Sequence, residues 1–135
     1  MITYRLGNDL DLDHTIELYR SCSLGARRPL DDRGRMAEML RNANLVVTAW
    51  EGGLLVGISR SLSDFSFATY LSDLAVRESH QRLGIGKELI RITQREGGEA
   101  QVILLAAPQA VDYYPHVGFT RHDSAWILEP AEALR

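Results

Sequence analysis

Cysteine and lysine are almost missing from this chain. Cys22 and Lys87 are the only ones among 135 residues. A lone cysteine excludes an internal disulfide and a thiolate zinc cluster, and a reducing compartment, the cytoplasm, is expected. The four histidines, His14, His80, His116 and His122, are scattered without the spacing of metal ligands, so no metal is expected. No apolar run approaches the roughly 20 residues a spanning helix needs, so no membrane association is expected. The N-terminus "MITYRLGNDL" lacks a basic region followed by an apolar core, so no secretory signal is expected. A net charge of −3 argues against general nucleic-acid binding, and no nucleic-acid partner is expected.

What remains is the composition of an ordinary globular protein, 45% hydrophobic and 24% charged. The length suits one domain, residues 1–135, with one core. The single charge bias lies between Arg20 and Arg41, where six arginines face Asp31, Asp32 and Glu38. It reads either as a solvated helix face or as an anion-facing loop around Arg27 and Arg28.

Periodicity gives the element order. "ITYRLG" reads as a strand. Residues 12 to 24 carry Ile16, Leu18, Tyr19, Cys22 and Leu24 at helical spacing. "GARRPLDD" breaks that helix, and Asp31 or Asp32 can cap a second one with Met36, Met39 and Leu40 inward. "NLVVTAWEGGLLVGISRSL" is a hairpin turning at Gly52-Gly53. Asp64 shapes the next turn. "FATYLSDLAV" is a strand apolar enough to be covered on both faces. A helix from about 84 to 96 ends at Gly97-Gly98, "QVILLAA" is a buried strand, and "PQAVDYYPHVG" a short helix. "FTRHDSAWILEP" reads as two small strands or one bent one. The order β-α-α-β-β-β-α-β-α-β-β, with one strand–helix–strand crossover from 68 to 106, predicts a mixed α/β or α+β fold.

The stretch "HQRLGIGKELI" places two glycines where the third helix-forming pattern, 84 to 96, begins. A helix start presents backbone N–H groups without intrahelical partners, and the helix dipole adds positive charge there. Glycine lets a bulky phosphate approach those amides. Arg82 and Lys87 add charge, and Gln81 adds donors. The physical reading is a diphosphate cradle; the alternative is a tight helix entrance and nothing more. A P-loop would need glycine at Gln81 and Ser or Thr at Glu88. A dinucleotide fingerprint would need a small residue at Leu89 and a glycine directly after the strand. Both fail.

"YLSDLAVRESHQRLGIGKELI" resembles the acetyl-CoA-binding motif of the GNAT superfamily of N-acetyltransferases. Leu74-Ala75-Val76 matches its strand end, and Gln81-Arg82-Leu83-Gly84-Ile85-Gly86 its glycine loop. "AVDYYPHVGF" resembles the family's later helix, with Tyr114 five residues before Phe119 of a Gly-Phe pair. The resemblance implies a single domain built on a central mixed, mostly antiparallel sheet. Strands four and five splay apart, and about four helices flank the sheet. It implies acetyl-CoA as co-substrate, held by Leu74, Ala75, Val76, Gln81, Arg82, Leu83, Gly84, Ile85, Gly86, Lys87 and Tyr114. The pantetheine arm would pair with strand four as an added strand.

The implied reaction is acetyl transfer to a primary amine by direct attack on the thioester. The N–H of Leu74 is the candidate oxyanion donor. Tyr114 is the candidate general acid for the departing thiolate. Asp73, an acid inside an apolar strand, is a candidate base or amine holder, or else a partner for Arg60 or Arg77. Arg27 and Arg28 are candidates for an acceptor carrying a carboxylate or phosphate. The expected partners are a small-molecule or peptide amine and a second copy in a homodimer. The alternative is a non-catalytic acyl-CoA-binding sensor or interaction module on the same fold.

Overall fold

The computed structural model describes residues 1–135 and divides into two compact units, Met1–Leu104 and Leu105–Arg135. The first holds β1 (Ile2–Leu6), α1 (Leu12–Arg20), a 3-10 turn at Ser23–Arg27 and α2 (Arg33–Asn42). These are followed by β2 (Leu45–Glu51), β3 (Leu54–Ser63) and β4 (Ala68–Val76). A second 3-10 turn at Glu78–His80, α3 (Ile85–Glu96) and β5 (Gln101–Ile103) complete it. The second unit holds a 3-10 turn at Pro108–Ala110 and α4 (Tyr113–His116).

Short polar side chains start the first two helices. The Asp11 carboxylate accepts the His14 N–H and the Asp32 carboxylate the Arg35 N–H, each at 3.0 Å, so Asp32 is the cap rather than Asp31. Gly52, at φ +59°, turns the β2–β3 hairpin in a conformation that few side chains tolerate. One oxygen of Asp64 accepts the amides of Ser66, Phe67 and Ala68 at 2.8 to 3.0 Å, closing the turn into β4. Those three amides hold its pKa below the usual carboxylate value.

The five strands lie in sequence order. β1 to β4 run antiparallel, and β5 returns parallel to β4 after crossing through α3. Alternate residues face opposite sides, so each face builds its own layer. Ile16, Leu18, Tyr19, Met36 and Leu40 of α1 and α2 pack with Val46, Ile58 and Ala75 on one face. Ile85, Leu89 and Ile92 of α3 pack with Val47, Ala49 and Val56 on the other. Each Val, Leu, Ile or Met side chain among these contributes about 1.5–3 kcal/mol by leaving water.

Two features of β4 position the site. Its register with β3 slips so that Asp73 faces Arg60 while Leu71 faces Ser61, leaving Ser72 as an inserted, bulged residue. β5 pairs with β4 only over Ala68–Tyr70, so the sheet parts there and Leu71 to Val76 have a strand partner, β3, on one side alone.

The first helix stops at Arg20 instead of reaching 24; a 3-10 turn follows, and Cys22 and Leu24 still pack against the core. The strand expected over "QVILLAA" is limited to Gln101–Ile103. "FTRHDSAWILEP" forms no strand, and Trp126 is 91% exposed. β-propensity measures fit to a half-buried sheet, and without a partner edge it produces no ladder.

Candidate functional site

α3 opens on Gly84, which stands in the left-handed region at φ +82°. A Cβ built there would meet nothing within 4 Å, so the approach to the helix start is open. The first intrahelical bond runs from the Glu88 N–H to the Gly84 carbonyl at 3.1 Å. The amides of Ile85, Gly86 and Lys87 therefore precede the helical ladder. Ile85 itself turns inward and anchors α3 in the core, while Arg82, Leu83 and Lys87 are exposed. Arg82 also has a positive φ, +67°, an uncommon angle for a side chain of that size. Two left-handed residues two apart bend the chain sharply into the helix.

The strand edge can be oriented from one bond. The Arg77 N–H donates to the Val56 carbonyl of β3 at 2.8 Å. Successive amides alternate sides along a strand, so those of Val76 and Leu74 point away from β3, toward the side where β5 has parted. Ala75 points its amide to β3 and its side chain into the core, so it offers that edge nothing. The Val76 carbonyl on the open side accepts from Gln81 Nε2 at 2.9 Å. Gln81, expected among the phosphate donors, thus spends a donor tying the glycine loop to the strand.

Asp73 is fully buried. One oxygen accepts from Arg28 Nε at 2.7 Å; the other accepts from Arg60 Nε and the Tyr19 hydroxyl, both at 2.6 Å. Burial alone would raise its pKa. Hydrogen bonding and charge from Arg60, together with Tyr19 and Arg28, outweigh it, and the carboxyl is held below the usual range. The Tyr19 hydroxyl is pushed well above 10, first by burial and then by the Asp73 charge, so it stays neutral. The expected partnership with Arg60 is present; Arg77 instead forms a two-pronged pair with Glu17 at 2.7 and 2.8 Å. A carboxylate with both oxygens taken is poorly placed to accept a substrate proton, which differs from the base expected at this position.

The two loop arginines part company. Arg27 is exposed. Arg28 is only 19% exposed at its side chain and turns inward. Besides Asp73 it donates to the carbonyls of Ser72 and Arg27, each at 2.8 Å. In the sequence Arg28 differs from Arg27 in preceding Pro29; in the fold it lies just beyond the 3-10 turn. Arg60, expected as one possible partner of Asp73, and Tyr19, which reads from sequence only as a helix core residue, complete this cluster.

In the second unit, the ring of Tyr114 packs edge-on against Tyr113 and Phe119, with centroids 5.3 and 5.4 Å away. The Phe119 N–H donates to the Tyr114 carbonyl at 2.9 Å, and Gly118 takes φ +111° to let the chain turn back. The motif spacing between Tyr114 and Phe119 thus records a ring contact. Tyr113 is 36% exposed at the surface of this unit.

Residues 30–127 match the family model described as Acetyltransferase (GNAT) domain. A curated relative, "Probable acetyltransferase TAP2" of Glycine max, is 30% identical over 87% of this chain. The chain spans about half of that relative, 51% of its length. A GNAT-family acetyltransferase from Streptococcus pneumoniae TIGR4 has a similar fold, with TM-score 0.74, 24% identity and coverage of 95% of this chain and 98% of that one. The aminoglycoside N-acetyltransferase AAC(6′)-Iy, solved in complex with CoA, is similar at TM-score 0.73 and 18% identity, with coverage of 97% and 95%.

Proposed function

The chain belongs to the GNAT acetyltransferase domain family, and we propose that it transfers an acetyl group from acetyl-CoA to a primary amine. The observation that carries this reading is the open, glycine-capped start of α3. Its unladdered amides follow a strand whose Leu74 and Val76 face a parted sheet edge. A diphosphate requires bare amides and positive charge, and the stretch from Arg82 to Lys87 supplies both. A peptide-like pantetheine arm requires an unpaired strand edge, and β4 supplies it. Acetyl-CoA, when bound, would supply an activated acyl thioester.

The residues then divide the work. Gly84, Ile85, Gly86 and Lys87 would hold the diphosphate through their amides, with Arg82 and Lys87 adding charge. Leu74 N–H would donate to the thioester oxygen as negative charge builds on it. Tyr114 would return a proton to the departing thiolate. A lysine-like amine, with an unperturbed pKa of about 10.4, must lose a proton before it attacks. With the Asp73 oxygens occupied, we assign that proton to solvent. Arg27, exposed beside the first two helices, remains the residue for an anionic group on the acceptor.

Thermal unfolding with acetyl-CoA, ATP and NAD in parallel tests the donor. Acetyl-CoA at about 100 times its Kd should stabilise by about 2.7 kcal/mol, and the nucleotides should not. Thiol release over a panel of amines tests the reaction. Tight acetyl-CoA binding with no thiol released by any amine would replace the enzyme with an acyl-CoA sensor on the same fold.

A further inference from the structure

The bulge in β4 is held by arginines. A bulge breaks the ladder locally, so the polar groups of the inserted residue need partners from elsewhere. For Ser72 they come from two directions. Arg28 Nη2 donates to its carbonyl at 2.8 Å, and Arg60 Nη2 donates to its hydroxyl at 3.0 Å. The same two guanidinium groups hold the neighbouring Asp73 by their Nε atoms, one on each carboxylate oxygen. Their remaining nitrogens reach main-chain carbonyls, Arg28 that of Arg27 and Arg60 that of Met39. Tyr19 closes the cluster from α1.

Such a cluster is a costly way to gain stability. Burying two guanidinium groups and a carboxylate incurs a desolvation penalty that apolar residues would avoid. What a planar, multiply bonded arginine gives is fixed geometry. Its members come from α1, α2, β3, β4 and the connection between the first two helices, so it joins that whole segment to β4. Arg60 sits on a central strand and is rigid by position. Arg28 is the one member supplied by a loop, and it is the one that grips the bulge carbonyl. Leu74, two residues beyond Ser72, points its amide to the parted edge. The direction of that amide depends on how the bulge is held.

We propose that Arg28 is a positioning residue for acyl transfer. Reaching from the α1–α2 connection, it fixes the Ser72–Asp73 bulge and so aims the Leu74 N–H at the thioester oxygen. This rests on the acetyl-CoA reading above. It also couples the acceptor-side loop to the oxyanion donor, so a shift of that loop is felt at Leu74. Arg28 is thereby withdrawn from the direct anion binding expected of it, and Arg27 alone is left for that task.

Lysine at this position keeps the charge but cannot hold Asp73 and the Ser72 carbonyl together in a planar fork. The test is amide NMR of 15N-labelled protein titrated with acetyl-CoA and, separately, with CoA. In the unsubstituted protein both ligands should move the Gly84–Lys87 amides, and Leu74 should move further with acetyl-CoA than with CoA. In Arg28→Lys, Kd for both ligands should stay within about twofold and the Gly84–Lys87 shifts should persist. The extra acetyl-dependent movement of Leu74 should fall by half or more. Arg28→Gln, neutral and shorter, is the second variant, read in the same way. Arg20→Lys, at an exposed site on α1, is the control and should match the unsubstituted protein. An unchanged Leu74 response in the Arg28 variants, with the cradle shifts intact, overturns the positioning role alone. No movement of Gly84–Lys87 in the unsubstituted protein overturns the acetyl-CoA reading, and the positioning role with it.

Discussion

Asp73 shows how far a residue's neighbours decide its chemistry. Alone in an apolar strand it invites a reading as a base; between Arg28, Arg60 and Tyr19 it is an ionised structural anchor. Its folded pKa lies below that of the unfolded chain, so its ionisation stabilises the fold above the unfolded value of about 3.9. That contribution is lost as pH falls toward the folded value. Asp73→Asn leaves two buried guanidinium groups short of an anion, and should cost about 3–5 kcal/mol at pH 7. Urea unfolding of both proteins should show the gap narrowing only below about pH 4. A gap that is constant down to pH 3 contradicts the assignment. Tyr114 tests differently, because its proposed role is a proton transfer. Tyr114→Phe should keep the ring contacts and lower kcat by about tenfold, less than the usual 10²–10⁴ because a thiolate is a fair leaving group. Acetyl-CoA affinity should change less, and an unaltered kcat removes Tyr114 as the acid.

At the scale of elements, the proposed site is one strand end and one helix start joined by an exposed turn. β4 is tied on one side to β3 and freed on the other by the short β5. α3 is fixed underneath by the side chains of Ile85 and Leu89, both buried, while the amides of its first turn stay outside the helical ladder. Gly86→Val puts a branched side chain on that first turn. It should weaken acetyl-CoA binding tenfold or more, about 1.4 kcal/mol, while the melting temperature without ligand shifts by only a few degrees. Calorimetric titration measures the first and thermal unfolding the second, and an unchanged Kd argues against a cradle at this helix. Glycine at 84 does a separate task, since any other residue there would carry the left-handed strain of about 1–2 kcal/mol.

For the whole molecule, no helix is long and apolar enough to cross a membrane. Leu62 faces Tyr70 across β3 and β4, and Tyr70 faces Ile103 across β4 and β5; all three are 40–45% exposed, forming an uncovered apolar row. The homodimer expected from the family resemblance is a proposal that such a row makes reasonable, since apolar area of this kind is commonly covered by a partner. Sedimentation equilibrium at tens of micromolar should give twice the chain mass. A single species at the monomer mass under those conditions rules the pairing out.

The sequence by itself determined most of the elements and where the third helix starts. Periodicity marked the inward side of Ile85–Glu96, and glycine at 84 signalled a backbone that only glycine adopts cheaply. Those signals are local, carried by residues within a few positions of one another. Tertiary structure alone decided which of Arg27 and Arg28 turns inward, where β4 bulges, and that Asp73 is shared by two arginines 13 and 45 residues away. It also decided that "FTRHDSAWILEP" has no strand partner. Charge pairing and sheet register depend on groups brought together across the fold, and spacing along a chain carries no record of them.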